Sequence, residues 1–171
     1  MEFSPVMRMQ LVNAVERVLH APGNPSHDLK EMTIVLDYHM DKETVAALGK
    51  WVATTLKNHS RTFANVRCNL LRWIDDDTFC NEICPLSAMQ LGRFSEGYEA
   101  NAQTKRVELL CDNLKRFHAR SKLVLVLTDY EYEIVDEAKL KETLSPFLKY
   151  KIVFTDGKTV KTAKDLLMDA L

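Results

Sequence analysis

Leu123-Val124-Leu125-Val126-Leu127, closed by Thr128-Asp129, is the stretch whose reading decides the fold. Its apolar run is short and continuous, with no polar residue on either alternation. A strand of that kind is covered on both faces. A sheet covered on both faces needs helices on either side, which makes this an α/β chain.

The same pattern recurs outward from that run. Met32 to Leu36 (Met-Thr-Ile-Val-Leu) is a second buried strand, ending at Asp37. Val45, Leu48, Trp51, Val52 and Leu56 follow at helical spacing, so this is a strand–loop–helix unit. Val66 to Ile74 reads as another strand, and Val107 to Phe117 as one face of a helix running from Thr104 to Ala119. Asp136 caps a helix carrying Leu140, Leu144 and Leu148, with Pro146 ending or kinking it. Ile152-Val153-Phe154 is a further strand, ended by Thr155-Asp156-Gly157, and Thr159 caps a last helix to Leu171. Within 75–97, the pieces Phe79 to Ile83 and Ala88 to Phe94 suggest a short edge hairpin.

At the other end, Ser4-Pro5 is a helix start, with a hydroxyl cap and proline at the first helical position. Met7, Leu11, Val15 and Val18 share a face of a helix that stops before Pro22-Gly23-Asn24-Pro25. Strands alternating with helices imply right-handed crossovers. The expected architecture is a doubly wound, mainly parallel, Rossmann-like sheet flanked by helices, with an antiparallel edge hairpin and an extra N-terminal helix. One domain is expected over residues 1–171, with helix 1–21 packed on it.

Composition narrows the function classes. The chain has 171 residues, 46% of them hydrophobic and 27% charged, as in an ordinary globular domain. A net charge of −1 argues against a broad attraction to nucleic acid or an anionic membrane. Lys105, Arg106, Lys115, Arg116, Arg120 and Lys122 form a basic segment, read as a solvated face because no aromatic residues interleave it. No apolar stretch reaches about 18 residues, so no membrane span is expected. Met1 to His20 lacks the apolar run and cleavage site of a signal peptide, and a cytoplasmic protein is expected. Cys68, Cys80, Cys84 and Cys111 then read as unlinked thiols, with Cys68 and Cys111 in the core. Cys80 and Cys84 lack the second pair that a zinc site needs.

Chemistry in such a sheet sits outside the carboxyl ends of the strands. Asp37, Asp75, Asp129 and Asp156 all stand at strand ends. Clustered carboxylates repel unless a cation, a basic group or water offsets them. There is no glycine-rich dinucleotide loop, phosphate loop or nucleophile elbow. A receiver-like pairing of a strand-end Asp with a distant Lys would start at the chain's first strand with an acidic pair, and here a long N-terminal helix and the β-rich insert intervene.

From Met32 to Gly157 the element order and the strand-end aspartates resemble the von Willebrand factor A domain family. Its metal-ion-dependent adhesion site combines Asp-x-Ser-x-Ser after the first strand, a Thr before a later helix, and an Asp in a Thr-Asp-Gly-like turn. The corresponding residues here are Asp37-Tyr38-His39-Met40-Asp41, Thr104, and Asp129 of Leu127-Thr128-Asp129. The resemblance implies metal ligation by Asp37, Thr104 and Asp129 through Mg²⁺, and a partner-binding edge of Asp37, His39, Asp41, Thr104 and Asp129. Departures weaken the metal reading: His39 and Asp41 replace the two serines, and Tyr130 stands where glycine is usual. An imidazole prefers softer metals than Mg²⁺.

Ordinary roles compete at each position. Asp37 and Asp129 serve equally well as turn residues, and Asp41 and Thr104 as helix caps. His39 is the histidine placed in the edge loop. The expected function is a non-enzymatic protein-interaction module of the von Willebrand factor A-like type. It binds an unidentified protein partner, not nucleic acid or membrane, and its metal dependence is weak or lost. The rival is a metal-dependent hydrolase using Asp37, His39 and Asp129. A third expectation is a subunit interface exposing Met7, Met9, Met89 or Phe94.

Overall fold

The computed structural model describes residues 3–20, 30–59, 61–76, 79–101, 103–115, 121–144 and 151–169. Its elements run α1 (Pro5–Leu19), β1 (Glu31–Asp37), α2 (Lys42–His59), β2 (Arg67–Trp73), β3 (Phe79–Pro85), α3 (Leu86–Leu91), α4 (Val107–Leu114), β4 (Val124–Leu127), α5 (Glu137–Thr143), β5 (Ile152–Thr155), β6 (Val160–Thr162) and α6 (Ala163–Asp169). The protein is α/β, with one mixed six-stranded sheet in the order β3-β2-β1-β4-β5-β6. Strands β2, β1, β4 and β5 are mutually parallel, while β3 and β6 run antiparallel at the two edges. This arrangement is compatible with a Rossmann-like fold.

Side chains alternate between two apolar clusters, as the pleat requires. Met32, Ile34 and Leu36 of β1 join one cluster with α1 and α2 residues such as Leu11, Val15, Leu48 and Val52. Val35 joins the other with Leu110 and Leu114 of α4, Leu140 of α5 and Leu166 of α6. The expected α1 face (Met7, Leu11, Val15, Val18) is buried, and the Ser4 hydroxyl accepts from the Met7 N–H at 3.1 Å. No helix among the described residues is long and apolar enough to cross a membrane. Cys68 and Cys111 lie in the core; burial pushes both thiols up, Cys111 to about 12.

Three expectations need correction. The edge hairpin forms, but between β2 and β3; Ala88 to Phe94 is not its second strand. That segment belongs to α3 and a following 3₁₀ turn, because Leu86 and Met89 sit three apart and bury together. Gly92 ends α3 at φ 76°, a backbone region that glycine enters without steric cost. Thr159 does not cap the last helix: β6 intervenes, and Thr162 pairs with Asp165 at the start of α6 instead. Of the four residues considered for a subunit interface, Met7, Met89 and Phe94 are buried and Met9 is exposed. Pro22 to Pro25, Arg116 to Arg120, Pro146 and Leu148 lie outside the described residues.

Candidate functional site

The strand order reverses between β1 and β4, so their carboxyl ends flank the crevice where ligands of open α/β sheets bind. The registers Val35↔Val126 and Leu36↔Leu127 place Asp37 beside Thr128. Asp37 is fully buried, although it is a carboxylate at the end of a strand. Both of its oxygens are engaged. Oδ2 accepts the Thr128 hydroxyl at 2.6 Å. Oδ1 accepts the His39 N–H at 3.0 Å and lies 2.8 Å from the Lys105 ammonium.

Lys105 is itself fully buried. Its ammonium also donates to the Gln103 carbonyl at 3.3 Å and sits 5.4 Å from the centre of the Trp73 ring. Its backbone is held by the segment after β4, where the Glu133 N–H donates to the Lys105 carbonyl at 2.8 Å and the Val107 N–H to the Glu133 carbonyl at 3.0 Å. A charge removed from water is tolerable when it is paired and hydrogen-bonded. Breaking such a pair by deleting one partner typically costs about 3–5 kcal/mol.

The loops around this pair are tied to one another. Tyr98 donates its hydroxyl to the Met40 carbonyl at 2.6 Å and to the Asp37 carbonyl at 3.3 Å. Its ring packs 4.2 Å from that of Tyr38, and burial together with the Asp37 charge pushes its hydroxyl pKa up. The Asn101 N–H donates to the Tyr38 carbonyl, and the Asn101 side chain to the Ile74 carbonyl. Asp76 accepts the Arg106 N–H at 2.7 Å. Glu108, buried at the start of α4, accepts the N–H groups of Val135 and Asp136 at 2.9 and 3.1 Å.

Of the residues singled out from sequence, Asp37, His39 and Asp129 come together. Asp129 is half-buried. Its carboxyl is pushed above the usual range by burial, with the Asp37 charge acting in the same direction and the Glu131 N–H and His39 acting against it. The His39 Nδ1 atom is buried and finds no hydrogen-bond partner among the described residues. Asp41 stands apart as the cap of α2: Oδ1 accepts the Thr44 N–H at 2.8 Å, and bonds from Thr44 hold its exposed carboxyl below the usual range. Thr104 is exposed, and its neighbour Lys105 is the residue that reaches Asp37.

Tyr130, which stands where the resembling family has glycine, adopts φ 65°. That left-handed backbone costs a side-chain-bearing residue roughly 1–2 kcal/mol. It is held by a bond from the Tyr130 N–H to Thr128 Oγ1 at 3.0 Å, by the hydroxyl donating to the Phe154 carbonyl at 3.1 Å, and by the Lys161 ammonium 4.9 Å from the ring centre.

A divalent cation does not fit these residues as they stand. The two Asp37 oxygens are committed to an ammonium, a backbone N–H and a hydroxyl. Among the described residues no three His, Cys, Asp or Glu side chains are grouped to hold a metal. Sequence reading missed Lys105, placed on a solvated face, and also Thr128, Tyr98 and Glu108. The one signal for Lys105 was indirect: a basic group was needed to offset the strand-end carboxylates, and a lysine adjoins Thr104.

Fold and site together define an α/β domain with a buried lysine–aspartate pair at the reversal point of its sheet. Comparison with known protein families, with curated proteins and with solved structures finds no match.

Proposed function

We propose that the chain is a non-enzymatic protein-interaction module of doubly wound, von Willebrand factor A-like type, binding a protein partner at the carboxyl edge of its sheet without a metal. The observation that carries this reading is the Asp37–Lys105 pair, 2.8 Å apart and fully buried. An acid already neutralised from within has no free oxygen with which to position a metal-bound water, which counts against the hydrolase reading. The cross-tied segments 38–41, 98–101, 103–106 and 129–136 support a pre-formed binding surface, and pre-organisation favours affinity by lowering the ordering cost. On the sequence grounds above we place the module in the cytoplasm, with neither nucleic acid nor membrane as its target.

The test is site-specific photo-crosslinking in the native lysate with chelator present. The crosslinker is placed at Gln103 or Thr104 on the edge, or at Asn58 near the far end of α2. The reading expects one protein adduct from the edge positions and none from Asn58. Adducts from Asn58 alone would overturn it, as would cation-dependent phosphate or ester hydrolysis that is lost in Asp37→Asn.

A further inference from the structure

We propose that Lys105 is a built-in cation that neutralises Asp37 from within the protein, and that removing its side chain turns the Asp37 pocket into a site for small cations. This deepens the reading above; the ion pair itself does not depend on that reading.

A carboxylate at a strand end that is wholly removed from water, as Asp37 is, needs a positive partner. Three kinds of partner meet that need: a proton, a metal ion or an organic cation. Thr128 and the His39 N–H both approach as donors, at 2.6 and 3.0 Å, which suits a charged carboxylate. The remaining approach to Oδ1 is taken by the Lys105 ammonium at 2.8 Å.

An ammonium is a compact point charge with three donors. Two of these donors have evident oxygen partners, Asp37 Oδ1 and the Gln103 carbonyl, and the charge rests against the face of Trp73. Carboxylate and carbonyl oxygens are also the ligands that a hard divalent cation takes, completed by water. Once the ammonium is removed, the Asp37 carboxylate and the Gln103 carbonyl are left as oxygens of the kind a cation takes.

The Lys105 cation is 0% exposed, so no partner group reaches it. Lys105 acts through Asp37 as a positioning residue: it holds the carboxylate that accepts the His39 N–H.

The test needs no partner, so its outcome is separate from that of the interaction reading. Thermal melting of the wild-type chain should not respond to millimolar Mg²⁺, Mn²⁺ or chelator. Lys105→Ala should melt lower, and propylammonium or Mn²⁺ should raise its midpoint by about 3 °C or more. Mn²⁺ electron paramagnetic resonance should show bound ion with Lys105→Ala and none with wild type; a purely structural lysine would not produce that signal.

Lys105→Met with Asp37→Asn is the control that keeps the question open if Lys105→Ala folds poorly. The double variant should melt above Lys105→Met alone and ignore both cations. The proposal is overturned if wild type is stabilised by Mg²⁺ or Mn²⁺, if neither cation raises Lys105→Ala, or if the double variant is no more stable than the single.

Discussion

Thr128, one residue beyond β4, donates its hydroxyl to Oδ2 of Asp37, the last residue of β1, across 2.6 Å in the buried seam between the two strands. The same oxygen of Thr128 accepts the Tyr130 N–H at 3.0 Å. One hydroxyl thus satisfies the strand-end acid and starts the left-handed turn at Tyr130. Thr128→Val keeps the shape and removes both bonds, leaving a buried carboxylate oxygen short of a donor. The expected loss is about 1–3 kcal/mol in urea denaturation, with Thr128→Ser retaining most of the stability. A valine variant as stable as wild type would show that the bond contributes nothing.

How much of this was legible follows from what each residue needs. The runs Met32 to Leu36 and Leu123 to Leu127 announce buried parallel strands because apolar residues fall on both alternations, with Thr33 the one polar member, and β1 and β4 are the central pair. Asp37 was legible as a strand-end acid for the same reason. The short edge strand β6 was not: Val160 to Thr162 carries one apolar residue and is half-buried throughout, so no alternation marks it. Lys105 was not legible because its burial depends on where the segment after β4 passes, a contact between distant parts of the chain. Local composition places a lysine beside an amphipathic helix in solvent, and here the tertiary ion pair overrides that preference.

Asp129 gives a pH prediction. Burial and the Asp37 charge raise its folded pKa above the ordinary carboxylate value. Between the unfolded and the folded pKa the native state holds more protons than the unfolded chain. This group's contribution to stability is therefore present at low pH and lost as pH rises through that window. Asp129→Asn removes the penalty and keeps an oxygen to accept the Glu131 N–H. The variant should melt at or above wild type at neutral pH, and the gap should close in acid. Melting curves across pH check this; an asparagine variant that is less stable at neutral pH would contradict it.

Gly49 sits inside α2, where a glycine normally costs a helix up to about 1 kcal/mol relative to alanine. The structure supplies the reason for tolerating it. A Cβ at position 49 would overlap the tip of the buried Phe94 ring. Gly49→Ala should therefore destabilise despite its better helix propensity, by about 1–3 kcal/mol as in overpacked cores. Combining it with Phe94→Leu, which shortens the group in the way, should recover part of the loss. A stabilised Gly49→Ala would mean that propensity outweighs packing at this contact.

Glu108 separates stability of the edge from stability of the fold. Its carboxylate accepts the N–H groups of Val135 and Asp136 across 27 and 28 residues, tying the segment after β4 to the first turn of α4. That segment also holds the Lys105 backbone through Glu133. Glu108→Ala deletes Oε2, the acceptor of both bonds, and leaves a cavity beside Arg106, and the expected cost is about 1–3 kcal/mol. Its effect should be local first: hydrogen exchange at Val135, Asp136 and Glu133 should quicken while amides of β1 and β4 keep their protection. If the segment from 129 to 136 is part of the partner surface, crosslinking from Gln103 or Thr104 should fall in this variant at temperatures where the sheet remains folded. Unchanged exchange at Val135 and Asp136 would show that the carboxylate does not hold the segment, and the case for a pre-formed edge would lose that support.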